Sequence, residues 1–268
     1  MASLWRLAGG RVHNLGLLVR ATSSRIHQSM FRTILLGLIA TQTACIHSQG
    51  DEPLNPTSAL VATLSQYVED IPVEFDGISA DRAQLLENFA ERIVDTIRRD
   101  EICRLNFICT HNSRRSHLSQ VWAQTAALQF GIDKIETYSG GTEATACNLR
   151  TIAALRRAGF EIDQLTGGEN PHYRVRYSDR ADPLEAFSKV YDDTKAGNPD
   201  KHFIAAMCCD QADRECPIVK GATARIPLHY EDPKAADNTP AESQVYDKRC
   251  RQIAVEMFYV MQLVAQKL

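Results

Sequence analysis

The chain has 268 residues, 44% hydrophobic and 24% charged, with a formal net charge of −3. That length and apolar share suit a globular protein with a sizeable core, as one large domain or a catalytic domain with an extension. The charge is lopsided: residues 1–50 hold five Arg and no acid, and removing those five from 30 Lys and Arg leaves 25 bases against 33 acids, which argues against nucleic acid as the main partner.

Residues 1–51 read as a targeting segment or a mis-called start. Met30-Phe31-Arg32 followed by the apolar run Thr33–Ala44 has the form of a short signal peptide, and Thr43-Ala44-Cys45 that of a lipoprotein-type cleavage site. The Arg/Ser-rich, acid-free character of the whole segment also fits a mitochondrial presequence. The apolar run is short for a membrane span. Two locations follow. The protein is cytoplasmic if the chain effectively starts near residue 52. It is exported or lipid-anchored if residues 30–45 act as a signal, with membrane contact expected only through a retained anchor or a lipid at Cys45.

A helical extension is expected over 52–103, because Leu60, Leu64 and Val68, then Leu85, Leu86, Phe89, Ile93 and Ile97, recur at helical spacing. It packs on the catalytic part or serves as a partner-binding arm. From Leu105 the pattern alternates: strand Leu105–Cys109, helix Arg115–Phe130, strand Ile135–Ser139, helix Leu149–Ala158, strand His202–Met207, strand Ala224–His229 and helix Val245–Leu268. This order implies an α/β three-layer sandwich over 104–268, with a mainly parallel four-stranded sheet, helices on both faces and ligand at the carboxyl ends of the strands. Between Phe160 and His202, Tyr173–Tyr177 and Ala186–Tyr191 alternate like two strands of a hairpin inserted near 168–200. The insertion is a surface decoration or a basic, Tyr-bearing lid.

The chemistry-bearing stretch is Cys109-Thr110-His111-Asn112-Ser113-Arg114-Arg115-Ser116, between a strand and a helix. Successive N–H groups in such a loop converge on one point, and the helix adds its positive end. Arg115 can fork two donors onto an oxyanion, the same field favours a thiolate at Cys109, and Ser116 is placed to hydrogen-bond the sulfur. A second cluster, Cys208-Cys209 through Cys216-Pro217, ends a later strand, and Asp232-Pro233 follows the next one. The eight cysteines are too sparse for a disulfide scaffold. Cys103, Cys147 and Cys250 read as buried or incidental thiols. No two Cys-x2-Cys pairs occur, so no metal site is expected.

From Leu105 onward the chain resembles the superfamily of low-molecular-weight protein tyrosine phosphatases and thioredoxin-coupled arsenate reductases. Cys109, Arg115 and Ser116 match its anion loop, and Ser139-Gly140-Gly141-Thr142-Glu143 resembles its second-strand turn. Cys209 and Cys216, followed by Pro217, match the two extra redox cysteines of the reductase branch, and Asp232-Pro233 the general-acid position. His111 and Arg114 depart from the usual small loop residues, and no Gly occurs in the loop. Asn112 matches an Asn tied in relatives to loop geometry and, in some reductases, to potassium. Gln120 stands where such enzymes have Glu, so that ion is not expected.

The resemblance implies an oxyanion site of Thr110, His111, Asn112, Ser113, Arg114, Arg115 and Ser116, with Cys109 as nucleophile and Asp232 as proton donor. It further implies arsenate reduction through a relay from Cys109 to Cys209 to Cys216. An external thioredoxin-like thiol then supplies reductant, and no cofactor is tightly bound. The alternatives are an aryl phosphate (phosphotyrosine) phosphatase working through phosphocysteine, and a non-catalytic oxyanion-binding or redox-sensing module.

Overall fold

The computed structural model of the chain describes residues 59–99 and 101–268. The signal-like run and Cys45 lie outside them. Among the described residues no helix is long and apolar enough to cross a membrane.

Helix α1 (Ala62–Val68) leads through a 3-10 turn to α2 (Ala80–Arg98), then β1 (Cys103–Cys109) and α3 (Arg115–Gln129). β2 (Ile135–Gly141) and α4 (Leu149–Arg157) precede the insertion. After it come β6 (Phe203–Met207), the short α5 (Asp210–Glu215), β7 (Ala222–Ile226) and α6 (Glu242–Lys267). The four strands form one parallel sheet in the order β2-β1-β6-β7. β6 is a continuous apolar run, and β1 is buried along its length apart from Arg104, as a parallel sheet covered on both faces requires. Along β1 the side chains alternate. Phe107 meets Phe89 of α2 and Cys109 meets Ser116 of α3, so these helices share a face. On the other face Asn106 Nδ2 donates to the carbonyl of Tyr191, and α5 lies against β1 and β6.

The core gathers around Trp122 of α3. It packs edge-on against Phe160 and Phe258 and stacks on Tyr67 of α1 at 5.6 Å. Its indole N–H donates to Cys250 Sγ at 3.2 Å. α1 and α2 therefore bury their apolar stripe on the α/β body, and α2 runs along α6.

The insertion differs from the expected hairpin. It is a three-stranded antiparallel sheet of β3 (Glu161–Gln164), β4 (Tyr173–Arg176) and β5 (Leu184–Ala186). The alternation at 186–191 is not a strand of that hairpin. Beyond Ala186 the chain leaves the small sheet and runs beside β2, where Val190 bridges Gly141. Its period of two arises because it is wedged between the sheet edge and the anion loop. Tyr173 and Tyr177 are buried core residues and so cannot stand over the anion site, while Tyr191 is half-buried with its backbone against Gly140. β7 also starts and ends earlier than expected. Pro227 lacks the N–H that would continue its ladder, so Leu228–Asp232 has no regular structure.

Candidate active site

β1 ends at Cys109, and the chain turns through Thr110–Arg114 into α3. The loop carbonyls are drawn outward. Thr142 N donates to Cys109 O (3.1 Å), Glu143 N to Thr110 O (3.0 Å), Ser188 Oγ to His111 O (2.9 Å) and Asn148 N to Ser113 O (3.0 Å). With the carbonyls occupied, the loop N–H groups face the opposite way, and α3 starts at Arg114 with no side-chain cap. That arrangement cradles an anion.

The turn needs one residue in left-handed conformation. Asn112 supplies it at φ +43°, a conformation Asn tolerates better than other side chains, so the absent Gly is no obstacle. Asn112 is fully buried: its Nδ2 donates to Ser116 Oγ (2.9 Å) and its Oδ1 accepts Lys189 N (2.9 Å). Ser116 Oγ lies 3.1 Å from Cys109 Sγ. The second-strand turn closes around this loop. A Cβ on Gly141 would stand 2.6 Å from Thr110 O, and one on Gly140 would stand 2.2 Å from Tyr191 Cα, so both glycines are required by close approach.

Arg115 reaches Asp232: Nη2 to Oδ2 is 2.8 Å, and Nη1 donates to Tyr230 O at 3.0 Å. Its Nε is buried without a partner, a donor available to an anion. Asp232 Oδ1 accepts Lys234 N and caps the 3-10 turn beginning at Pro233. Arg114 points elsewhere. Its Nε donates to Tyr246 Oη (2.9 Å), its Nη2 lies 3.5 Å from Asp237, and Nε is 3.9 Å from Asp232 Oδ1. The half-buried His111 pairs with Glu143 at 2.9 Å. These two loop residues thus offer an anion their backbone and not their side chains. Gln120 Nε2 donates to Thr137 O.

The cysteines divide by face. Cys208 Sγ turns toward α3 at Ser119 Oγ (3.5 Å), on the side of Cys109, and burial pushes its thiol up, reinforced by Cys109. Cys209 Sγ turns to Thr110 Oγ1 (3.5 Å) and accepts Ala212 N as the cap of α5. Cys216 ends α5, half-buried, its thiol also raised by burial and by Glu215. Burial pushes Cys103, Cys147 and Cys250 up to about 12. Among the described residues all seven are free thiols, and no three His, Cys, Asp or Glu side chains come together as metal ligands.

Sequence reading missed the insertion's part in the site. Ser188 bridges Thr145 N (2.8 Å) and His111 O, and the Asn170 amide clamps both Ser188 N (3.0 Å) and Ser188 O (2.8 Å). Lys189 lies buried behind the loop, its ammonium 4.5 Å from the Phe187 ring centroid, and burial lowers it to about 8. His117, fully buried and 3.3 Å from Ser139 Oγ, is lowered to about 3 by burial and by Lys189. No local motif marks the contacts of Ser188 and Lys189 with the anion loop, because they join residues 77 positions apart in the chain.

Residues 104–171 match the family described as low molecular weight phosphotyrosine protein phosphatase. Among curated proteins, an arsenate reductase of Bacillus subtilis is 27% identical over 145 residues, covering 54% of this chain and 84% of the relative. One from Bacillus licheniformis is 28% identical over the same shares. Among solved structures, a low molecular weight phosphotyrosine phosphatase from Vibrio cholerae aligns at 12% identity and TM-score 0.41, covering 60% of this chain and 95% of that one. An arsenate reductase in the phosphate binding state aligns at 18% identity and TM-score 0.35, covering 62% of this chain and 99% of that one.

Proposed function

We propose that this chain is an enzyme that reduces arsenate to arsenite with thiols, since residues 104–171 match the low molecular weight phosphotyrosine protein phosphatase family and named arsenate reductases are among its relatives. The observation carrying the reading is the placement of Cys209 and Cys216 at the two ends of α5, with Cys209 Sγ against the residue after Cys109. The named arsenate reductases among its relatives support it.

In the first step the Cys109 thiolate attacks arsenic. Loop N–H groups and Arg115 hold the remaining oxygens, and Asp232 protonates the departing one. Ser116, fixed by Asn112, stabilises the sulfur anion. Cys209 then attacks Cys109 Sγ. The As–S electron pair leaves with arsenic, which is reduced from As(V) to As(III), and a Cys109–Cys209 disulfide remains. Cys216 next attacks Cys209, freeing Cys109, and an external dithiol reduces the Cys209–Cys216 disulfide. The last exchange requires a structural change. A helix rising about 1.5 Å per residue sets the two ends of α5 roughly 10 Å apart, beyond the ~7 Å Cα separation a disulfide tolerates, so α5 must unwind.

Two assays decide: arsenate-dependent oxidation of thioredoxin and hydrolysis of an aryl phosphate. Cys209→Ser should stop arsenite production and leave aryl phosphate turnover largely intact, since Cys209 acts only after the first displacement. Cys216→Ser should allow about one turnover and trap a Cys109–Cys209 disulfide visible by mass spectrometry. Cys208, facing the Cys109 side, is the thiol to delete in parallel. Full arsenate turnover in Cys216→Ser and in the Cys208→Ser/Cys209→Ser double variant refutes the relay. The match of the anion-loop half to a phosphatase family supports the second reading, an aryl phosphate phosphatase. Good phosphatase rates with no arsenate activity in the wild type would select it.

A further inference from the structure

The segment carrying Asp232 has no helix or strand to hold it, so its position depends on side-chain anchors. Arg115 holds Asp232, Arg249 of α6 pairs with Glu231 (3.1 Å), and His229 pairs with Asp213 of α5 (2.9 Å), while the anchors of Leu228 and Tyr230 reach the helical extension. Arg82, in the first turn of α2, donates from Nη2 to Leu228 O (3.3 Å) and to Glu256 Oε2 of α6 (2.6 Å). Tyr230 Oη donates to the same carboxylate oxygen at 2.7 Å, and the Arg82 guanidinium lies 4.9 Å from the Tyr230 ring centroid. Gln252 Nε2 donates to the other oxygen of Glu256 at 3.1 Å. Tyr230 N donates to Cys208 O, and Tyr230 O receives Arg115. Leu228, Tyr230 and Glu256 are all buried.

The charges make this network rigid. A carboxylate as buried as Glu256 requires a cation, and Arg82 is that cation. Burial and the adjacent carboxylate push the Tyr230 phenol well up, so its O–H remains a donor to Glu256. Two residues further on stands Asp232. The chain from Tyr230 to Asp232 thus presents two acceptors to Arg115, the Tyr230 carbonyl and the Asp232 carboxylate, and the Arg82–Glu256 ion pair anchors the Tyr230 end of that run.

We propose that Arg82 is a positioning residue for the proton donor: through Glu256 and Tyr230, the helical extension holds Leu228–Asp232 so that Asp232 meets the departing oxygen. The inference rests on the reading of Asp232 as that donor, and the test separates the two. A purely structural role would lower activity by one factor on every substrate, because it changes only the number of folded molecules. Mispositioning of Asp232 instead costs most where the departing oxygen needs its proton.

The experiment measures kcat/KM of the full-length protein on aryl phosphates of graded leaving-group acidity, and kcat and KM on arsenate, for wild type, Asp232→Asn, Arg82→Met and Tyr230→Phe. Asp232→Asn should lose about two to four powers of ten on the least acidic phenols and little on the most acidic. Arg82→Met should show the same tilt at smaller size, about ten- to a hundredfold at the demanding end, the cost of a displaced catalytic group. On arsenate it should lower kcat and leave KM nearly unchanged. Should Arg82→Met fail to fold, Tyr230→Phe, which removes only the hydroxyl, decides by the same comparison. A tilt in Asp232→Asn with parallel, substrate-independent losses in the other variants overturns the inference alone. No tilt in Asp232→Asn overturns the reading of Asp232 and the inference with it.

Discussion

At the scale of single residues, the site rests on how differently its thiols are surrounded. Cys109 ends a strand beside Ser116 at the mouth of the anion loop, whereas Cys103, Cys147, Cys208 and Cys250 are buried away from that loop's inward N–H groups. Burial holds those four in the protonated, unreactive form at neutral pH, and Cys216 is raised as well. Iodoacetamide at pH 7 should therefore modify Cys109 first, and inorganic phosphate should slow that modification, as read by peptide mass mapping over time. Faster labelling of the more exposed Cys216, with no protection by phosphate, would remove Cys109 from the anion site. Arg115 shows a second residue-scale feature. It already holds Asp232 and Tyr230 O, yet keeps its Nε unpaired, so an oxyanion can gain a donor without breaking that ion pair.

At the scale of elements, the insertion acts on the anion loop from behind. Its run from Phe187 to Asn198 supplies Ser188 to His111 O, Lys189 N to Asn112 and Lys189 O to Gly141 N (2.9 Å). A loop whose N–H groups must point inward needs its carbonyls held outward, and this run holds one of them. Ser188→Ala should weaken competitive inhibition by phosphate about five- to tenfold, the scale of one hydrogen bond of ~1 kcal/mol, and Ser188→Thr should restore it. Unchanged phosphate inhibition in Ser188→Ala would return the insertion to a surface decoration. The short α5 contrasts with it. Its two ends carry the thiols and most of its interior residues are exposed, so what opposes its unwinding is the buried Ala212 and the ion pairs of Asp213 with Arg225 (2.6 Å) and His229 (2.9 Å).

At the scale of the whole molecule, buried titratable groups couple the site to stability. His117 has a folded value of about 3 against 6.5 for the free side chain, because burial and Lys189 oppose its charge. Between those values the unfolded chain binds a proton that the folded one does not. Stability from this source is intact above pH 6.5 and is lost as pH falls toward 3, by about 1.4 kcal/mol per pH unit at most. Lys189 acts in the alkaline range. Its folded value of about 8 lies below the ordinary 10.5, so the cost of burying its charge is present below pH 8 and relieved as pH rises to 10.5. Urea unfolding midpoints should fall less steeply from pH 7 to 4 in His117→Gln than in wild type. Identical slopes would show that other groups govern acid unfolding. The extension belongs to this scale too. Tyr67 on Trp122 and Arg82 on Glu256 tie α1 and α2 into the same core that carries the loop.

The residues 105–116 and the alternation of strands and helices that follows were enough to read the parallel sheet and the Cys109 loop. Strand period, helix period and a strand-to-helix anion loop are local properties, decided by neighbours a few positions apart. Cys209, Cys216 and Asp232 were singled out by resemblance to a family and not by any local period; the structure places the two cysteines at opposite ends of α5 and Asp232 against Arg115. Three things were decided only by tertiary structure. Asn112 takes the left-handed position expected of a glycine because Ser116 and Lys189 N hold its amide from both sides. Arg114 turns from the loop because Tyr246 and Asp237 of distant segments claim it. The 186–191 run, alternating like a strand, became a brace because the edge of β2 and the loop carbonyls offered it better partners than a hairpin did. In each case at least one deciding partner lies tens of residues away, where periodicity carries no signal and only packing brings the groups together.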